Sequence, residues 1–167
     1  MSDQAPWITF RPELKVLDCT IRDGGLINKH QFKDETVTAV YNACLEAGID
    51  YMEIGYLTKA GLFDPSKVGP WKFCEEDVLR EVVEDSPMKL AAMVDIGRID
   101  LDAMRPADDS ALDVLRIATY AHQMDEALQI LDRALELGYE TFMNVMAIST
   151  LSPEEVEKFL YRLASSG

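Results

Sequence analysis

Strand-like and helix-like segments alternate along almost the whole chain, and this alternation is the strongest constraint on its fold. Strands are predicted at 14–21, 49–56, 88–94, 112–120 and 141–147. Helices are predicted at 34–47, 75–83 and 124–137, and a last one begins at the capping box of Ser152 and Glu155. Strands that alternate with helices form a parallel sheet, either an open doubly wound sheet or part of a (β/α)8 barrel.

Polar side chains within the predicted strands favour the barrel. Four strands carry an ionisable or amide group in the interior or at the C-terminal end: Glu53, Asp95, Arg116 and Asn144. A barrel lumen accommodates such groups better than an open sheet with helices on both faces. The glycine patterns of Rossmann and P-loop folds are absent from the sequence.

Length then limits how much of a barrel this chain can form. A complete barrel takes ~250 residues, and the chain has 167. We therefore predict an α/β fold that is the first five or so units of a TIM barrel, incomplete in this chain. Residues 1–13 are predicted to be an N-terminal extension, and residues 14–167 a partial barrel domain.

Composition narrows the partners and the compartment. The formal net charge is −14 with no basic patch, which argues against nucleic-acid binding. The three cysteines are widely spaced, which predicts free buried thiols and not a disulfide framework or a zinc site. No signal peptide and no apolar run of ~18 residues is present, so we expect a cytoplasmic protein without a membrane partner.

The stretch 14–25 reads Leu-Lys-Val-Leu-Asp-Cys-Thr-Ile-Arg-Asp-Gly-Gly. It is interpreted as a strand that Gly24 and Gly25 end abruptly, which would place Asp18, Thr20 and Arg22 on one polar face. Arg22 and Asp23 would then follow the strand, where parallel α/β folds place their chemistry. An Arg–Asp pair that only ties down a turn is the structural alternative.

The sequence Asp-Cys-Thr-Ile-Arg-Asp-Gly-Gly at 18–25, followed by Met-Glu-Ile-Gly at 52–55, resembles the metal-dependent aldolase/lyase superfamily. That superfamily includes 4-hydroxy-2-oxovalerate aldolase, hydroxymethylglutaryl-CoA lyase, and the isopropylmalate and homocitrate synthases. The doubled glycine after Arg-Asp is most similar to the aldolase branch. The resemblance extends from about Leu14 to the C-terminus.

The resemblance implies three site residues and a cofactor. Asp23 matches the ligand of a divalent metal, Mn²⁺ or Mg²⁺, Arg22 matches the arginine that stabilises an enolate, and Glu53 matches the glutamate that orients this arginine. A hard cation would polarise the carbonyl of a 2-oxo acid. A nearby guanidinium would offset the negative charge that develops on the oxygen.

Two departures from the family pattern bear on activity. The family completes its metal site with a His-x-His pair, but this chain contains only His30 and His122. Leu26 stands where the aldolases have a catalytic histidine, so His30 is the candidate base. We expect the parent protein to be a carbon–carbon lyase acting on a 4-hydroxy-2-oxo acid through a metal-stabilised enolate, and this chain alone to be inactive. The alternatives are an acyl-CoA-using synthase of the isopropylmalate or homocitrate type and a non-catalytic truncated homologue.

Other polar residues are weaker candidates. Thr20 and Asn144 are predicted to bind substrate, with a satisfied lumen amide as the alternative for Asn144. Arg116 is predicted either to bind the substrate carboxylate or to pair with Asp95. His122 is either functional or an exposed loop residue. Open sheet edges at the first and fifth strands predict a homo-oligomer or another association through those edges.

Overall fold

A computed structural model describes residues 11–59, 61–84 and 86–165. Within these residues five parallel strands follow one another in sequence order across a curled half-barrel. They are β1 (Leu17–Asp18), β2 (Tyr51–Tyr56), β3 (Lys89–Asp95), β4 (Val114–Thr119) and β5 (Glu140–Val145). The predicted α/β class and the incomplete TIM barrel are confirmed. Residues 1–10 of the predicted N-terminal extension lie outside the described residues.

Helices cover the convex face of the sheet. They are α1 (Thr20–Asn28), α2 (Asp34–Glu46), α3 (Glu76–Arg80), α4 (Met124–Glu136) and α5 (Pro153–Ala164). The main core lies between α1 to α4 and the outward side chains of the strands, such as Ile54, Val94 and Ile117. A second, small cluster of Tyr56, Met93 and Ala118 lies apart from that core, with Met146 packed against it. The core therefore leaves the other side of the strands available for polar groups.

The first predicted strand is largely wrong. Only Leu17–Asp18 pairs with β2, and the chain turns into α1 at Thr20. The Asp18 carboxylate accepts hydrogen bonds from the backbone N–H and the hydroxyl of Thr20 at 3.0 and 2.7 Å, which supports the start of the helix. The doubled glycine lies inside this helix and does not end a strand. Asp18, Thr20 and Arg22 therefore do not share a strand face.

The long segment after β2 returns to the sheet. Phe73 forms an isolated parallel bridge with Tyr56, and a short 3₁₀-helix covers Pro70–Lys72 just before it. Trp71 is 1% exposed and donates a 3.0 Å hydrogen bond from Nε1 to the Asp34 carboxylate at the start of α2. Because Trp71 is anchored in this way, the next residue, Lys72, is also buried.

β1 and β5 are the outer strands of the described sheet. Large apolar side chains remain exposed beside both of them: Leu14 and Val16 before β1, and Phe142 in β5. None of the helices in the described ranges has the length and apolar character that a membrane span requires.

Candidate active site

The carboxylate of Glu53 is the centre of the candidate site. It is fully buried in β2, and each of its oxygens faces a different arginine. Oε1 accepts a hydrogen bond from Nε of Arg22, which α1 contributes. Oε2 accepts from Nη1 of Arg116 in β4 at 2.5 Å. One carboxylate thereby holds two guanidinium groups from separate elements.

The two arginines of this arrangement are largely shielded from solvent. The side chains of Arg22 and Arg116 retain only 14% and 16% exposure. Burial by itself lowers the pKa of Arg22, but the charge of Glu53 and its hydrogen bond outweigh burial, so the pKa of this guanidinium is raised. Arg22 therefore stays charged at any physiological pH. Glu53, Arg22 and Arg116 are shielded from solvent although the half-barrel is open, because the three groups cover one another.

Asp23 lies at the outer edge of this cluster. Its Oδ1 is 2.5 Å from Nη1 of Arg22, and its side chain is 56% exposed. The Arg22–Asp23 pair expected for a structural turn therefore exists, but in the first turn of a helix. Arg22 contacts Glu53 as well, so its contacts are not confined to this turn.

Arg116 forms its ion pair with Glu53 and not with Asp95. Pairing with Asp95 is wrong, because Asp95 binds Arg98 at 2.9 Å instead. In the sheet register Asp95 lies level with Ala118, closer to the C-terminal ends of the strands than Arg116. Glu53 lies level with Ala91 in the intervening strand β3, whose small side chain lets Arg116 reach across. Binding of a substrate carboxylate by Arg116 stays a prediction.

His30 lies just beyond α1 and is buried, with 3% exposure. Two glycines make room for it: a Cβ at Gly25 would lie 2.0 Å from its Nδ1, and a Cβ at Gly69 would lie 1.9 Å from its carbonyl oxygen. Its Nδ1 has no hydrogen-bond partner among the described residues. Burial lowers the pKa of His30 to about 4, and the charges of Lys72 and Arg22 act in the same direction. The ring is therefore neutral at pH 7, and its role as a base stays a prediction.

Tyr56 and Lys72 complete the surroundings of Arg22 and were missed by sequence reasoning. The Lys72 Nζ lies 3.5 Å from the centroid of the Tyr56 ring, against which His30 packs edge-on at 5.8 Å. The Arg22 Cζ lies 5.8 Å from the same centroid. Strict alternation along β2 places Tyr56 on the side of Ile54, but the register shifts between Glu53 and Gly55. A glycine inside a strand is the one signal that points to such a bulge.

Lys72 is only 7% exposed, and such burial is rare for a lysine. No pattern in the sequence indicates it. Burial lowers its pKa; Asp95 opposes this effect, while Arg98 and Arg22 add to it. The end of the concave face thus holds a cationic group that no pattern predicted.

The remaining predicted residues are already engaged, lie at the edge of this cluster or lie apart from it. The Thr20 hydroxyl is bonded to Asp18. Asn144 is half-buried beside Arg116 and Phe142 in a cavity of about 250 Å³, without a side-chain hydrogen bond to another described residue. His122 is exposed and stacks on Tyr120, with 5.7 Å between the ring centroids.

A metal centre does not assemble from the residues that the structure describes. Nowhere in the described ranges do three or more His, Cys, Asp or Glu side chains converge in a way that could hold an ion. Asp23 offers one carboxylate, which already contacts Arg22. A divalent cation requires more oxygen or nitrogen ligands than this. The donor set therefore does not fit a complete metal site.

Comparisons with known proteins agree with the predicted resemblance. The chain is 30% identical over 156 residues to a 4-hydroxy-2-oxovalerate aldolase of Geobacillus genomosp. 3, covering 92% of this chain and 46% of the relative. It is 26% identical over 162 residues to 4-hydroxy-2-oxovalerate aldolase 6 of Rhodococcus jostii strain RHA1, covering 95% and 45%. A scan against models of protein families finds no match.

The fold has a similar solved structure. The N-terminal domain of a protein assigned as an aldolase from Bacteroides vulgatus superposes with a TM-score of 0.67 at 25% identity, covering 91% of this chain and 60% of that one. The chain spans about half the length of the curated relatives it matches. The resemblance to the aldolase branch is confirmed over this part.

Proposed function

We propose that this chain supplies the arginine–glutamate part of an aldolase site that acts on a small 4-hydroxy-2-oxo acid. The observation that carries the proposal is the buried Glu53, which fixes Arg22 beside Asp23 on a half-barrel. The similarity to 4-hydroxy-2-oxovalerate aldolases supports this substrate class.

In such a cleavage a base, for which His30 is the candidate, takes the proton of the C4 hydroxyl. The bond between C3 and C4 then breaks, which leaves the enolate of a 2-oxo acid together with an aldehyde. Protonation of the enolate at C3 completes the 2-oxo acid. Negative charge develops on the enolate oxygen, and a guanidinium that is already oriented stabilises it without a reorganisation cost. Glu53 provides that orientation by holding Nε of Arg22. The same geometry stabilises the enolate when the reaction runs as a condensation.

The family implies a divalent cation, Mn²⁺ or Mg²⁺, which would polarise the carbonyl of the 2-oxo acid when bound. The described residues do not complete a site for it. The chemistry proposed for this chain therefore rests on Arg22 and Glu53, and Asp23 contributes at most one ligand. For the same reason we expect the purified chain alone to show no appreciable turnover. Robust metal-dependent cleavage of a 4-hydroxy-2-oxo acid by the 167-residue chain would contradict this expectation.

A chimera tests the function. This chain replaces the matching N-terminal part of the Geobacillus relative, and pyruvate release from 4-hydroxy-2-oxovalerate is followed with lactate dehydrogenase. We expect activity, and we expect Arg22→Lys to lower kcat by ~10² or more because lysine keeps the charge but loses the planar fork. Arg98→Lys is the matched control, since Arg98 pairs with Asp95 and is half exposed.

Three outcomes would contradict the proposal. An Arg22→Lys chimera within threefold of the parent would mean that Arg22 only anchors the helix. A chimera that melts cooperatively but releases no pyruvate would favour the non-catalytic alternative. Consumption of acetyl-CoA with a 2-oxo acid, in place of pyruvate release, would favour the synthase alternative.

A further inference from the structure

Lys72 is a buried cation that forms no ion pair with a described residue. Its ammonium lies between the rings of Tyr56 and Phe63, 3.5 and 4.8 Å from their centroids. No carboxylate of a described residue lies within the 4.0 Å of an ion pair with it. Cation–π contacts offset part of the cost of burying an ammonium, but they leave its three N–H donors without acceptors.

The tip of Lys72 is nevertheless accessible. Its nitrogen forms no hydrogen bond with a described residue, yet it is not among the fully enclosed unpaired atoms, which are Asn28 Oδ1 and His30 Nδ1. The residual 7% exposure of Lys72 therefore includes the ammonium. A small anion can approach this group without displacing an internal partner.

Lys72 lies among other cations in a strongly acidic chain, whose net charge is −14. The arginines of this region are each within ion-pair distance of a carboxylate: Arg22 of Asp23 and Glu53, Arg116 of Glu53, and Arg98 of Asp95. Lys72 is not, and the charge of Asp95 acts on it from a longer distance.

Arg22 and Lys72 lie against the same ring, that of Tyr56. We propose that Lys72 binds the carboxylate of the 2-oxo acid whose enolate oxygen Arg22 stabilises. This inference rests on the proposed function and extends it by a residue from the segment after β2. A carboxylate satisfies the free N–H donors of a lysine through charge-assisted hydrogen bonds. The ammonium of Lys72, which has no ion-pair partner among the described residues, then favours an anionic ketone over a neutral one.

The test measures binding to the purified full chain, with oxalate as the probe. Oxalate has the planar shape and the adjacent oxygens of the pyruvate enolate. Its dissociation constant is measured by calorimetry for the wild type, Lys72→Met and Lys67→Met. Methionine retains an apolar stem against Tyr56 and Phe63, and Lys67 is a control from the same segment with 78% side-chain exposure.

We expect Lys72→Met to weaken oxalate binding by about tenfold or more, because a charge-assisted contact is lost. Lys67→Met should leave the dissociation constant within twofold. A second readout on the wild type needs no variant to fold: oxalate should slow acetylation of Lys72 by an amine-reactive reagent, as followed by mass spectrometry. Acetylation of Lys67 should not change.

The outcomes separate this inference from the proposed function. Wild-type affinity for oxalate in Lys72→Met, with no protection of Lys72, would overturn the role of Lys72 even if the chimera is active through Arg22. Loss of affinity in Lys72→Met together with an inactive, folded chimera would uphold the anion site and refute the aldolase proposal. Absence of oxalate binding to the wild type at millimolar concentrations would overturn the role of Lys72, and turnover by the chimera would still decide the function.

Discussion

Replacing Glu53 by glutamine tests whether the buried carboxylate holds the candidate site together. Glutamine has nearly the same shape, but it offers one acceptor oxygen and places an NH₂ donor against the second guanidinium. Arg22 and Arg116 would then face each other with little access to water. Removing one partner of a buried ion pair costs roughly 3–5 kcal/mol of the free energy of unfolding. The lower end, about 3 kcal/mol, applies because both arginines retain some exposure.

Glu140→Gln is the matched control in the same sheet. Glu140 also bridges two groups, accepting from the Tyr51 hydroxyl at 2.7 Å and from Lys89 Nζ at 2.5 Å, but its side chain is 33% exposed and that of Lys89 is 50% exposed. An exposed pair of this kind contributes about 1 kcal/mol or less. Urea unfolding followed by circular dichroism measures both variants. For a domain of this length, the Glu53→Gln loss corresponds to a fall in Tm of roughly 6–12 °C.

A combined variant separates charge from shape. Adding Arg116→Met to Glu53→Gln removes one of the two cations that have lost their shared carboxylate, so part of the lost stability should return. The reasoning is refuted if Glu53→Gln is no more destabilising than Glu140→Gln. It is also refuted if Arg116→Met makes the Glu53→Gln protein less stable still.

Three further predictions follow from burial, packing and the open sheet. His30 should titrate in NMR with a pKa of about 4. Because only the unfolded chain takes up the proton between pH 6.5 and 4, the free energy of unfolding should fall by up to about 3 kcal/mol as the pH drops through this range. Titration near 6.5 would contradict the burial of the ring. Gly25→Ala should destabilise the chain by about 1–3 kcal/mol and displace the His30 ring. Gly24→Ala should cost less, because its Cβ would meet only Phe32 at 3.3 Å. Equal urea midpoints for the two variants would show that the His30 ring moves aside without a cost in stability. The chain should self-associate through β1 and β5 in sedimentation at micromolar concentration, and a sharp monomer with a cooperative melt would show that these edges are protected.

The candidate site was only partly predictable. The conjunction of Arg22, Asp23 and Glu53 was inferred from a resemblance, and the structure brings these three residues into contact. Their catalytic and metal-binding roles stay predictions. Lys72 could not be found from sequence, because its burial depends on the Trp71 anchor to Asp34, thirty-seven positions away in the chain.

The sequence by itself determined the features that depend on near neighbours. Hydrophobic periodicity located β2 to β5 and the longer helices, and the capping box of Ser152 and Glu155 is present at the start of α5. The tertiary structure decided the rest. The residues after β1 form a helix that buries Ile21. A bulge in β2 brings Tyr56 near Arg22, and Arg116 pairs with Glu53 in place of Asp95. Each of these outcomes depends on contacts between elements distant in sequence, which local periodicity does not encode.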